Sequence, residues 1–156
     1  MDYTVDIENN IRLNVRAAGI VRHGNKILIH NNQNRPNYAF LGGRVKILED
    51  SKTAVKREFE EELGYSMDVI KFLTVVENYY DYKDKKVHEI MFLYELEFQD
   101  EEMKKKTDTL YNAEGKDYLE YDWLTLDEIK DIDLRPKALK EYLLSDEKES
   151  RLVNFN

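Results

Sequence analysis

The sequence predicts a single α+β domain of mixed α/β character spanning residues 1–156. Three observations carry this expectation. Short segments rich in Val, Ile and aromatic residues alternate with turn chemistry, as paired strands do. One segment, between Ser51 and Gly64, repeats its apolar residues at helical spacing instead. The connections between segments are too short for a regular series of helical crossovers, so hairpins must dominate.

Leu13 to Arg22 is predicted as a strand, His23-Gly24-Asn25-Lys26 as a turn, and Ile27-Leu28-Ile29 as the returning strand. Asn31 to Asn37 is a polar loop, after which Tyr38-Ala39-Phe40-Leu41 is predicted as a short strand running into Gly42-Gly43. Ser51 is the predicted N-cap of the helix, with Ala54 standing where a capping box would place Glu, and Gly64 is its predicted terminator. Val69 to Tyr80 and Val87 to Phe98 form a long hairpin around the charged turn Asp81 to Lys86. The mixed run Glu101 to Lys106 opens a solvated loop that extends to Lys116. Beyond it lie a strand from Tyr118 to Leu124, a helical turn from Leu126 to Lys130, and a last helix from Arg135-Pro136 through Ser145.

Composition narrows the chemistry. With no cysteine, disulfides, thiolate metal sites and cysteine nucleophiles are excluded, and carboxylates and histidines remain as ligands. A net charge of −8 argues against a nucleic-acid partner, because a phosphate backbone is held mainly by clustered Lys and Arg. No apolar run approaches the ~18 residues of a membrane span, and the polar start Met1 to Asp6 is unlike a signal peptide. The expectation is a cytoplasmic protein with no membrane partner.

The predicted helix has an acid side and a core side. Glu58, Glu61 and Glu62 stand at i, i+3 and i+4 and share one face, while Val55, Phe59 and Leu63 form an adjacent apolar stripe. Burial of Phe59 and Leu63 contributes about 1.5–3 kcal/mol each. Like charges at this spacing oppose the helix by roughly 0.2–0.5 kcal/mol per pair, and anions in the last turn oppose its dipole. The arrangement makes sense if a cation is supplied from outside, and Mg²⁺, which takes oxygen ligands, fits. The plainer reading of such a cluster is a solubilising face.

The wider pattern favours the first reading. From Gly43 the chain runs through five residues to Glu49, then seven to Arg57-Glu58-Phe59-Glu60-Glu61-Glu62-Leu63-Gly64-Tyr65. This resembles the Nudix box at all seven of its fixed positions, a match expected by chance on the order of 10⁻⁸ per register. The strands before the box, the hairpin after it and the final helix are also similar to the family's layout. The resemblance implies the Nudix fold, a mixed sheet sandwiched between helices. It implies hydrolysis of the pyrophosphate bond in a small nucleotide-type substrate, a nucleoside diphosphate linked to another moiety, with Mg²⁺ or Mn²⁺ as cofactor.

Carried over residue by residue, the resemblance makes Glu58 and Glu62 the main metal ligands and Glu61 a further ligand or the water-activating base. Arg57 would hold the glutamates, Glu49 would support the metal or Arg57, and Gly43 would offer its carbonyl or leave room. Leu41 and Lys46 depart from residues common in the family, outside the fixed positions, and bear on loop shape and substrate. Outside the box the candidate substrate contacts are Arg16, Tyr80, Tyr82 and Glu89, each also readable as ordinary strand composition. His88-Glu89 could supply a base or a further ligand, or be a surface histidine beside a solvated glutamate. Trp123 reads as core. Two rivals differ in class: a Nudix domain kept as a nucleotide sensor or regulatory module, which would have no need of all three glutamates, and an isoprenoid diphosphate isomerase of the same fold, which would be expected to use a cysteine. A homodimer is left open.

Overall fold

Thirteen residues of strand β2 (Ile11–His23) tie the molecule together, because its two ends serve different groups of strands. The computed structural model describes residues 1–156. The N-terminal strand β1 (Thr4–Ile7) lies antiparallel on the first half of β2. At its far end β2 turns through Gly24 into β3 (Lys26–Asn32), which is flanked by the two-residue β4 (Tyr38–Ala39). The next strand, β5 (Leu41–Arg44), returns to β2 with Gly43 opposite Ala17. Helix α1 (Ser51–Leu63) follows, and then the long hairpin of β6 (Met67–Tyr82) and β7 (Lys85–Phe98), with β7 parallel to β2.

The remainder closes both groups. β8 (Leu110–Tyr111) and β9 (Leu119–Thr125) extend the sheet from β3, α2 (Leu126–Asp131) follows under a capping box formed by Thr125 and Glu128, and β10 (Leu134–Arg135) pairs with β4. After α3 (Lys137–Leu144) the chain ends in β11 (Arg151–Phe155), parallel to β6 at the sheet edge. The predicted mixed sheet between helices is therefore present. One core cluster, with Ala17, Leu41, Phe59, Leu96 and Trp123, packs under α1; the other, with Ile20, Ile29, Leu93, Ile129 and Leu139, packs under α2 and α3. No helix is long and apolar enough to cross a membrane.

Several expectations are corrected. The N-cap of α1 is Asp50, whose side chain accepts from the Thr53 N–H at 3.0 Å; Ser51 is the first helical residue, and its hydroxyl meets that of Tyr94 at 2.7 Å. An ionised carboxylate accepts there more strongly than a hydroxyl. Gly64 does end the helix, at φ 77°, a conformation that costs glycine no steric penalty. The strand does run into Gly42 and Gly43, which lie inside β5, but the predicted segment is interrupted at Phe40, which is buried between β4 and β5. The loop after β7 is not wholly solvated, since Met103 is buried in the core under α1. Strands β1, β8, β10 and β11 are not foreshadowed in the sequence, because each is short or lies at an edge where polar residues are tolerated.

Candidate active site

The acidic side of α1 is organised by one guanidinium. Arg57 donates to both oxygens of Glu49 at 2.8 and 2.9 Å, to Glu58 at 2.7 Å, to Glu61 at 3.3 Å and to the Arg44 carbonyl at 3.0 Å. A planar donor fork suits such multiple carboxylate contacts. Glu49 also accepts from the Lys46 N–H, and of its two expected roles the contact with Arg57 is present. Arg57 in turn holds the Glu49 carboxyl below its usual range.

Burial acts the other way on the two inner glutamates. The Glu58 carboxyl is pushed upward by desolvation, against the attraction of Arg57. Glu62 is pushed up to about 7 by desolvation, although the Tyr121 hydroxyl donates to it at 2.7 Å. Glu61 stays 45% exposed at its side chain and Glu60 points to solvent. The expected sharing of one face is thus graded by depth, from Glu62 to Glu58 to Glu61.

Gly43 joins this helix to a cleft. A Cβ at position 43 would overlap the Glu58 carboxyl group, so only glycine lets β5 and that side chain lie together. On its other side Gly43 lines a cavity of about 340 Å³ with Arg12, Arg16, Arg44, Tyr80, Tyr82 and Glu89. A second cavity of about 410 Å³ adjoins it, sharing Arg16, Arg35, Tyr80, Tyr82 and Glu89 and extending past Asn37 and Tyr38 to Arg135 and Asn156.

The cleft is basic in an acidic chain. Arg12 is paired with Asp6 and Arg135 with Asp133, each at 2.6 Å, and Arg44 lies 3.5 Å from Asp2. Arg16 has only the Gly42 carbonyl, at 3.2 Å, and neither it nor Arg35 has a carboxylate within 4.0 Å. Two guanidinium groups without a carboxylate partner thus line a space beside half-buried carboxylates. Of these arginines only Arg16 was expected. Arg35 and Arg44 sit in loop and strand stretches where a lone arginine carries no signal of its own.

The structure separates the other candidates. Tyr80 donates to Glu89 at 3.2 Å, and burial followed by the Glu89 charge pushes its phenol up to about 12. Tyr82 borders the cleft but is 40% exposed. Glu89 is 1% exposed, which removes the reading of a solvated glutamate. His88 points to the opposite face of β7, where it stacks on Tyr79 at 4.4 Å, and does not join Glu89. Trp123 is core, as expected.

The residues suit a divalent cation in kind. Two half-buried carboxylates raised by desolvation lie beside a glycine that leaves Glu58 room, and hard oxygen donors match Mg²⁺ or Mn²⁺. No three Asp, Glu or His side chains converge as a ready-made cage; Glu58 and Glu61 turn to Arg57 instead.

A family model described as the NUDIX domain matches residues 12–144. A MutT protein from Bacillus halodurans is similar in structure, with 17% identity, a TM-score of 0.65, and 89% of this chain and 85% of that chain covered. A MutT protein from Methanosarcina mazei Go1 is similar at 19% identity and TM-score 0.59, covering 85% and 91%. An ADP-ribose pyrophosphatase from Streptococcus suis is similar at 17% identity and TM-score 0.53, covering 89% and 98%. No curated protein matches in sequence.

Proposed function

The chain belongs to the NUDIX domain family, and from that membership we propose that it hydrolyses a nucleoside diphosphate linked to a further group X, releasing a nucleoside monophosphate and phosphorylated X. The observation that carries the substrate class is the junction at Gly43, where half-buried carboxylates on α1 meet a cleft lined by two arginines without a carboxylate partner. Neighbours described as MutT proteins, an ADP-ribose pyrophosphatase and a UDP-X diphosphatase support a nucleotide-type substrate without choosing among them.

Glu58 and Glu62 would hold Mg²⁺ or Mn²⁺, with Glu61 at the exposed rim. When bound, such an ion neutralises diphosphate charge and lowers the pKa of water. Water oxygen forms a bond to one phosphorus while the bridging P–O bond breaks. Glu61 takes the proton from that water, and its hydrogen bond from Arg57 fixes where the carboxylate stands. Arg16 and Arg35 bind the phosphate oxygens, and Gly43 leaves space for both groups. Glu89 accepts hydrogen bonds from the part of the substrate lying in the cleft. Tyr80 and Tyr82 flank it.

The test is turnover on a panel of nucleoside triphosphates, dinucleoside polyphosphates and nucleotide sugars with Mg²⁺ or Mn²⁺, with products separated by chromatography. Expected is a monophosphate product from at least one substrate, nearly abolished in Glu61→Gln. Tight nucleotide binding with no product under any metal would establish the sensor reading instead.

A further inference from the structure

Five polar residues are buried in this protein, and four of them form one row. Asn14 on β2, Glu89 on β7, Asn78 on β6 and Asn154 on β11 are direct cross-strand partners, register by register, and all are 5% exposed or less. Asparagine is poorly suited to strand interiors, and a buried amide is unfavourable unless bonded. A row of three around a carboxylate therefore asks for a purpose other than packing.

The row has a direction. The Ala138 backbone N–H, at the start of α3, donates to Asn154 Oδ1 at 2.9 Å, and a backbone donor cannot reverse its role. This leaves Asn154 Nδ2 to face β6, where it donates to Asn78 Oδ1 at 2.9 Å. Asn78 must then present its own Nδ2 to Glu89 Oε1, at 3.4 Å. Tyr80 donates to the other oxygen, Oε2. Each amide is set by the one before it, and the last donor always reaches the carboxylate.

We propose that Asn78 and Asn154 are positioning residues that hold Glu89 as an oriented, acceptor-only carboxylate in the cleft, which makes the C-terminal strand β11 part of the substrate site. The assignment rests on the hydrolase reading above for its substrate. It also narrows that substrate: the group X or nucleoside part beside Glu89 must offer a hydroxyl or amino donor, since both carboxyl oxygens already accept, from Asn78 and Tyr80, and present acceptor lone pairs to the cleft. The cleft is then split between Arg16 and Arg35 for phosphate oxygens and Glu89 for a donor.

The experiment is a double-mutant cycle. Asn154→Ala and Asn78→Ala are each made in the parent and in Glu89→Gln, with Asn154→Asp as an isosteric variant that keeps the Ala138 contact but loses the donor. Expected is a loss of about tenfold in kcat/KM in the parent background, carried mainly in KM, with a lowered melting temperature in the alanine variants because a buried partner is left unpaired. In Glu89→Gln the same changes should move kcat/KM by less than about twofold. Equal losses in both backgrounds, or no loss in the parent, would overturn the proposal and leave the hydrolase reading intact. If the parent turns over no substrate, the hydrolase reading falls, and the row is judged by carbon NMR of the Glu89 carboxyl group in metal-free protein. Its chemical shift should move in Asn154→Ala, although Asn154 reaches Glu89 only through Asn78, and an unchanged shift would overturn the proposal.

Discussion

Tyr121, on β9, donates its hydroxyl to Glu62 at 2.7 Å and itself accepts from Asn112 Nδ2 at 3.0 Å. The bond joins the sheet next to β3 to the last turn of α1. It gives the deepest of the α1 glutamates its one side-chain donor, and so fixes which oxygen of Glu62 is free.

Tyr121→Phe should therefore weaken Mg²⁺ or Mn²⁺ binding while sparing the fold. The ring still fills its place in the core under α1, but Glu62 loses its orientation. Loss of an outer partner of a ligand weakens metal affinity by about 10–100-fold. Calorimetric titration of the metal-free protein with Mn²⁺ measures this, and an affinity within twofold of the parent would show that the Tyr121 bond serves packing alone.

Metal and stability should be linked. An ion bound only by the folded chain raises stability by RT ln(1 + [L]/Kd), about 2.7 kcal/mol at a hundredfold excess over Kd. Melting temperature should rise with Mg²⁺ beyond the effect of NaCl at matched ionic strength, and less so in Glu62→Gln and Glu58→Gln. Metal-free Glu62→Gln should be at least as stable as the parent, because it no longer buries a charge. Metal-free Glu58→Gln also gives up the Arg57 contact, so its stability should change less favourably. Equal shifts with Mg²⁺ and NaCl in all three proteins would mean that the acids are only a solvated face.

The parts of the site that were legible in the sequence are those written in local spacing. Glu58, Glu61 and Glu62 declare a face through the helical period alone, and Gly43, Glu49 and Arg57 through fixed intervals along one stretch of chain. Glu49 and Arg57 do meet, because one loop and two helical turns bring them together. What was not legible depends on register. Asn154 lies 76 residues from Asn78, and only the parallel pairing of a terminal strand makes them neighbours. Glu89 and His88 looked alike as adjacent polar residues; the pleat sends one to the cleft and the other to the opposite face. Arg35 became a candidate only when the structure showed it without a carboxylate partner, which no sequence pattern encodes.

Arg16 and Arg35 should act on binding before chemistry. Both face the cleft uncompensated, so Arg16→Ala and Arg35→Ala each remove a charge-assisted contact to phosphate, worth about 1.5–3 kcal/mol. The expected result is a rise of roughly tenfold or more in KM, with a smaller change in kcat. Arg12→Ala, whose guanidinium is already engaged by Asp6, should change KM less. A loss confined to kcat, or one equal among the three variants, would place the substrate phosphates elsewhere.

The final prediction concerns acid stability. His30, on β3, stacks against Tyr121 with ring centres 5.1 Å apart, and its buried Nε2 has no hydrogen-bond partner. Burial, followed by the charges of Arg16 and Arg35, lowers its pKa to about 4. The unfolded chain, with an ordinary value near 6.5, takes up the proton first as pH falls. The contribution of neutral His30 to stability is thus fully present above about pH 6.5, is lost as pH falls towards 4, and changes no further below that, where both states are protonated. Within the window the slope reaches at most about 1.4 kcal/mol per pH unit. Carboxylates titrate nearby, so the quantity to compare is the difference between the parent and His30→Phe, which keeps an aromatic ring against Tyr121 and removes the proton site. Urea denaturation at pH 7.5 and pH 5 should show the parent losing more stability than the variant between the two. Parallel losses would mean that His30 is solvated and titrates alike in both states.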